Sequence, residues 1–152
     1  MLDKMKALVK EKDMCVLATV SNNRPHCSLM AYVANEAATE IYMVTFKNTK
    51  KYQNLRENPW VSLLIDTREE DLGSRRPRAK AITVTGVFEQ IRDHNLRHQI
   101  RETLLSRHAQ LEGFADHPEA EVFSIRIHSF LLLDGIKDAY FETLPQGAFP
   151  PN

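Results

Sequence analysis

One stretch, Ile41 to Leu63, limits what this chain can fold into more than any other. It begins with Ile41-Tyr42-Met43-Val44-Thr45-Phe46, a β-branched and aromatic run that predicts a strand. Lys47-Asn48 then turn the chain, Thr49 is placed to cap a helix, and Lys50 to Glu57 carry helix formers up to the stop at Asn58-Pro59. A strand that feeds a short helix in this way leaves unpaired backbone N–H groups and the positive end of the helix dipole at the junction. Thr49 adds a hydroxyl there, and Lys47, Lys50 and Lys51 add ammonium groups, an arrangement suited to a phosphate. The competing reading is a solvated lysine face. It carries a cost of a few tenths of a kcal/mol per charge, because the dipole repels cations at a helix start. No glycine-rich phosphate loop decides between the two.

The rest of the chain supplies further short strands and little helix. Leu2, Met5, Leu8 and Val9 recur at helical spacing, so residues 2 to 12 predict an amphipathic helix packed on the rim of a barrel. Met14 to Val20 is an apolar strand, Ser21 to Pro25 a turn, and His26 to Ala34 the return strand, with His26, Ser28, Met30 and Tyr32 on one face and Cys27, Leu29, Ala31 and Val33 on the other. Further strands are expected at Trp60 to Thr67, Ala79 to Ile91, Glu121 to Leu133 and near Ala139 to Glu142, and Gly86 inside the second of these predicts a bulge. Between the first two lies a polar loop, Arg68 to Arg78, whose arginines suit solvent, a phosphate or a neighbouring subunit. Asp93 opens the long helix, with Leu96, Ile100, Thr103, Leu104 and Leu111 as its apolar stripe and Gly113 as its stop. Short antiparallel turns without βαβ alternation predict a mainly β fold, a small closed β-barrel with flanking helices, and the missing GxGxxG agrees in disfavouring a Rossmann fold.

Composition bears mainly on partners. With 152 residues the expectation is one domain, residues 1–144, followed by a Pro-rich tail over 145–152. Twenty basic and twenty acidic residues cancel, which argues against nucleic acid as a partner. The first thirteen residues hold no long apolar run, so neither a membrane span nor a signal peptide is expected, and the cytoplasm is the expected compartment. Cys15 and Cys27 do not form a CxxC pair and are expected as buried, reduced thiols. His94 and His98 have a spacing that can bind metal, but without HExxH or a third ligand they read as exposed helix histidines, so no metal is expected.

Taken in order, Val16-Leu17-Ala18-Thr19-Val20, Arg24-Pro25, Ile41 to Thr45, Thr49-Lys50-Lys51, Leu55 to Leu63 and Val84-Thr85-Gly86 resemble the FMN-binding split-barrel proteins related to pyridoxamine 5′-phosphate oxidase. The similarity is good over residues 5 to 92 and looser beyond. It implies a six-stranded antiparallel split β-barrel of the FMN-binding type, and a homodimer with flavins at the subunit interface. The family's Ser/Thr-Arg/Lys-Lys triplet, which holds the flavin phosphate, is matched by Thr49, Lys50 and Lys51. Its cofactor-lining Tyr-Thr pair corresponds to Val44-Thr45, and the strand after the first turn contributes Ser28, Leu29 and Met30. Lys47 completes the expected cofactor-binding set.

Departures from the oxidases define the expected function. Ser28 and Val33 stand where the oxidases carry an arginine and, five residues on, a lysine, and Ala81 stands in place of their glutamine before the corner glycine. No C-terminal Arg-x-His substrate motif follows Arg126-Ile127-His128. The resemblance thus implies an FMN-dependent oxidoreductase of unidentified substrate or electron donor, with no general acid or base assigned, and not a vitamin B6 oxidase. The alternative is a module that binds flavin, haem or the deazaflavin F420 without turnover.

Overall fold

The computed structural model describes residues 1–145 and 147–151. The chain runs α1 (Leu2–Glu11), β1 (Met14–Ser21), β2 (Arg24–Ala31), β3 (Val33–Ala34), β4 (Glu40–Phe46), α2 (Lys50–Glu57), β5 (Trp60–Asp66) and β6 (Lys80–Gln90). It continues through α3 (His94–Arg107), α4 (Glu112–Ala115), β7 (Ala120–Asp134) and β8 (Asp138–Thr143). The first turn tightens to Asn22-Asn23, both at positive φ, which side-chain amides tolerate and two-residue hairpins require. Pro25, which lacks an N–H, falls on β2, where one edge needs no donor.

All strand pairs are antiparallel, in the order β2-β1-β5-β6-β7-β4-β3, with β8 on the side of β7. β2 and β3 are two halves of one strand, broken at Tyr32, so the two ends of the order are the same piece of chain and the sheet curls into a barrel. The sheet has eight strands where six were expected, because β8 adds beside β7 off the path and one expected strand is broken at Tyr32 into β2 and β3. Inward residues such as Leu17, Met43, Leu63, Val84, Phe123 and Phe130 fill it, and Met5 and Val9 of α1 with Tyr52 and Leu55 of α2 join the same core. α3 lies outside, and its Ile100 and Leu104 bury Val33, Val44, Ile91 and Val122 in a second cluster.

Gly86 sits at the expected bulge, where the β6–β7 register shifts. A Cβ there would stand 2.7 Å from both the Arg126 carbonyl oxygen and the Ile125 Cγ2. Because the first of these is backbone, Gly86→Ala is expected to cost about 1–3 kcal/mol, measured as a lowered urea midpoint with unchanged m.

Several expectations are corrected. α3 opens on the Asp93 cap, whose carboxylate accepts the Asn95 and Leu96 N–H groups, but it ends at Arg107, not Gly113. His108 ends it, with its Nε2 2.9 Å from the Tyr32 carbonyl, and Gly113 lies within α4. Leu96, placed on the apolar stripe, is 45% exposed. Cys15 is buried, with its thiol pushed up to about 12 by that burial, whereas Cys27 is exposed. Within the Arg68–Arg78 loop a 3-10 helix spans Gly73–Arg78, with none of its residues buried. The described part of the tail returns to the barrel: Trp60 Nε1 donates to the Pro150 carbonyl at 3.2 Å, and the Arg126 guanidinium lies 4.1 Å from the Phe149 ring centre. Gln146 and Asn152 of the Pro-rich tail lie outside the described residues.

Candidate functional site

The split in the barrel follows from where hydrogen bonding stops. β3 pairs with β4 only at Val33↔Tyr42 and Ala34↔Ile41. Continued, that register would set Met30 opposite Thr45 and Ser28 opposite Lys47. Instead the Tyr32 N–H turns away to the Asp13 carbonyl at 2.9 Å, and β2 from Ala31 back to Arg24 pairs with β1. β2 and the second half of β4 therefore each keep an edge without a strand partner on the side facing the gap. Open edges of this kind present main-chain donors and acceptors to whatever enters.

The start of α2 stands at the end of β4. Thr49 caps the helix: its hydroxyl donates to the Phe46 carbonyl at 2.9 Å and accepts the Tyr52 N–H at 3.2 Å. The local sequence dictates this, since an extended threonine before a run of helix formers is a favoured cap. The hydroxyl is thus spent on the chain itself, and the first-turn N–H groups of Lys50 and Lys51 remain for a ligand.

Lys51 turns back from the helix onto β4. Its Nζ lies 3.3 Å from Oγ1 of Thr45, a side chain that is 2% exposed. Among the described residues no carboxylate comes within 4.0 Å of that ammonium. Burial holds the Lys51 pKa below the ordinary lysine value. A half-buried cation with no counter-ion, beside a helix start, is in a place that favours an anion.

The remaining expected site residues are spread around this point. Lys47 and Lys50 are exposed at the same junction. The Val44 side chain is buried in the second cluster, on the α3 side, which leaves its main chain for the gap. Met30 points into the core, Ser28 is half-buried, and Leu29 is 71% exposed on the outer face, cross-strand from Val16. Lys51, Thr45 and Thr49 come together, and Ser28 to Met30 stand on the opposing strand. Asn54, one turn beyond Lys51, was missed. It is fully buried, donates its amide to Thr19 Oγ1 at 3.1 Å and leaves Oδ1 without a partner among the described residues. The available signal was an asparagine, a poor helix former, inside so short a helix. His94 and His98 are exposed, and no metal-holding group of three or more His, Cys, Asp or Glu occurs among the described residues. No described helix is long and apolar enough to cross a membrane.

Solved structures share this fold. A haem-binding protein from Mycobacterium smegmatis superposes with a TM-score of 0.80 at 18% identity, over 92% of this chain and 56% of its own. The present chain thus spans little more than half the length of that relative. The haem storage protein HutZ from Vibrio cholerae gives 0.71 at 21% identity, over 88% of this chain and 93% of its own. An FAD-binding protein from Mesorhizobium loti gives 0.71 at 18%, over 87% and 93%. At such identities the likeness establishes the fold alone. No protein of curated function matches the sequence. The sequence profile of the pyridoxamine 5′-phosphate oxidase family, however, matches residues 1–134, most of the chain and all of the split barrel up to the end of β7, and the chain belongs to that family.

Proposed function

We infer that the chain is an FMN-binding flavoprotein and a flavin-dependent oxidoreductase. The observation that carries this is Lys51: an ammonium half-withdrawn from water, held among the described residues by the Thr45 hydroxyl, at the start of a helix that opens onto the split. Lys51 and Lys50 hold the phosphate as charge-assisted donors, with Lys47 at the rim. The N–H groups of the first turn of α2, ordered by Thr49, complete the cradle. Thr45 and Ser28 offer hydroxyls to the ring or the ribityl chain, Val44 and Met30, whose side chains are buried, offer main chain, and Leu29 offers apolar contact. Bound FMN supplies the electron or hydride chemistry. The chain contributes placement, exclusion of water and charge, and no side chain is assigned as an acid or base.

A homodimer accompanies this reading. On the outer face, Leu29, Val16, Leu64, Thr83, Leu131 and Phe141 are cross-strand neighbours in one row over six strands. Leu29, Leu64, Leu131 and Phe141 are exposed, so the row offers a second copy an apolar surface. Two free thiols suit the cytoplasm. The substrate or electron donor is a small molecule of unassigned identity.

Haem is the second reading. The similar haem-binding and haem-storage proteins raise it, and His128 favours it: its Nδ1 is buried without a partner among the described residues, and its ring stands edge-on to Trp60 at 5.6 Å. The absorbance spectrum of the purified protein, followed by titration of stripped protein with FMN, decides. The expected result is flavin bands and one FMN per chain. A Soret band establishes haem, and binding of F420 in place of FMN establishes the deazaflavin. A colourless protein indifferent to FMN overturns the flavin reading.

A further inference from the structure

A second cleft lies on the outer side of the barrel, away from the α2 junction. There Tyr42 of β4 pairs with Ser124 of β7 and Ser124 with Glu89 of β6, while Glu40 pairs with Arg126. The first turns of α3 stand over these strands and leave a cleft of about 280 Å³.

Its floor is polar and incompletely satisfied. Ser124, 5% exposed, faces the cleft between the inward Phe123 and Ile125, and its buried hydroxyl has no hydrogen-bond partner among the described residues. A buried hydroxyl left unpaired is unfavourable and uncommon. Beside it the half-buried Glu40 carboxylate accepts the Tyr42 hydroxyl at 2.6 Å, and among the described residues no basic side chain lies within 4.0 Å of it. Burial, and secondarily the bond to Glu40, push the Tyr42 pKa up, so the phenol stays a neutral donor. Glu89 is already matched by Arg126, whose Nε donates to it at 2.9 Å. One wall is apolar: Ile100 is buried, and Leu96 keeps much of its side chain open although it lies on the apolar side of α3.

We propose that this cleft binds a small organic cation, a primary ammonium on a short apolar body. The ammonium carries three donors and no acceptor, which matches an uncompensated carboxylate at Glu40 together with the lone pairs of the Ser124 hydroxyl. The body covers Leu96 and Ile100. Glu40, Glu89 and Asp93 line the cleft against Arg92, so an anion would meet more carboxylates than cations, and a neutral alcohol would leave Glu40 without its counter-charge. The assignment is independent of the flavin site, because none of its residues belongs to the α2 junction.

The test titrates the full chain with benzylammonium, benzyl alcohol and benzoate, following backbone amide and methyl NMR shifts. Benzylammonium is expected to saturate with shifts at Leu96 and Ile100, about tenfold tighter than the alcohol, with benzoate inert. Glu40→Gln is expected to remove that tenfold advantage. Ser124→Ala is expected to weaken benzylammonium about threefold while holding or raising Tm, since it deletes the unpaired hydroxyl. A merely structural serine would lower Tm and leave binding alone. Equal affinity for amine and alcohol, full affinity in a folded Glu40→Gln protein, or a Ser124→Ala variant that loses stability and keeps binding each overturn the proposal.

Discussion

Replacing Lys51 with alanine is expected to weaken FMN binding about 10- to 150-fold, the equivalent of losing one charge-assisted hydrogen bond of roughly 1.5–3 kcal/mol. The apo protein, by contrast, is expected to be no less stable. The two effects separate because the Lys51 ammonium is half-buried with no carboxylate near it, so without a ligand its desolvation is not repaid. Lys50→Ala alone has a smaller expected effect, because Lys50 is exposed and screened by water. The double variant isolates the phosphate site, and unchanged FMN affinity in a folded Lys50→Ala, Lys51→Ala protein removes it.

The same lysine gives a pH dependence of definite sign. Its folded-state pKa is depressed, so between that value and the ordinary lysine value the unfolded chain binds more protons than the folded one. Apo stability at this residue therefore rises as the pH climbs through that window. FMN affinity moves the other way, falling as Lys51 loses the charge that faces the phosphate. In the Lys51→Ala variant both slopes flatten in the alkaline range.

What the sequence disclosed here was what local forces decide. The Thr49 cap, the strand before it, the Asp93 cap and the bulge at Gly86 each depend on residues a few positions apart, and each stands where the pattern put it. The split depends on a long-range choice instead. β2 and β3 read as one strand from His26 to Ala34, and nothing in their composition marks Tyr32 as the point where its N–H leaves one neighbour for the Asp13 carbonyl of the other. The three lysines also looked alike in sequence, since burial of Lys51 and exposure of Lys50 follow from the direction in which α2 leaves β4. Cys27 was misread because free cysteine is usually buried, whereas the first half of β2, Arg24 to Cys27, is exposed on both faces. Nothing local in the sequence marks Glu40, Tyr42 and Ser124 as belonging together, and only α3, arriving from far along the chain, closes a cleft over them.

The largest expected loss of stability comes from Phe123→Ala. Phe123 is fully buried in β7, opposite Met43 on one side and Gln90 on the other. Its ring lies 5.5 Å from Phe88, which meets Tyr52 of α2 edge-on at 6.1 Å, so an aromatic chain ties the barrel core to the helix that carries Lys51. Removing the ring costs its transfer free energy and leaves a void that close-packed strands cannot collapse, about 3–5 kcal/mol in all. For a chain of this size that lowers Tm by roughly 6–20 °C. The start of α2 has its own anchor, because Thr49 bonds to both the Phe46 carbonyl and the Tyr52 N–H. FMN at saturation is therefore expected to raise Tm in the variant by the same free-energy increment as in the parent, since that increment depends only on ligand concentration and Kd. A smaller increment in Phe123→Ala would mean that the aromatic chain, and not the threonine cap, holds Lys51 in place for the phosphate.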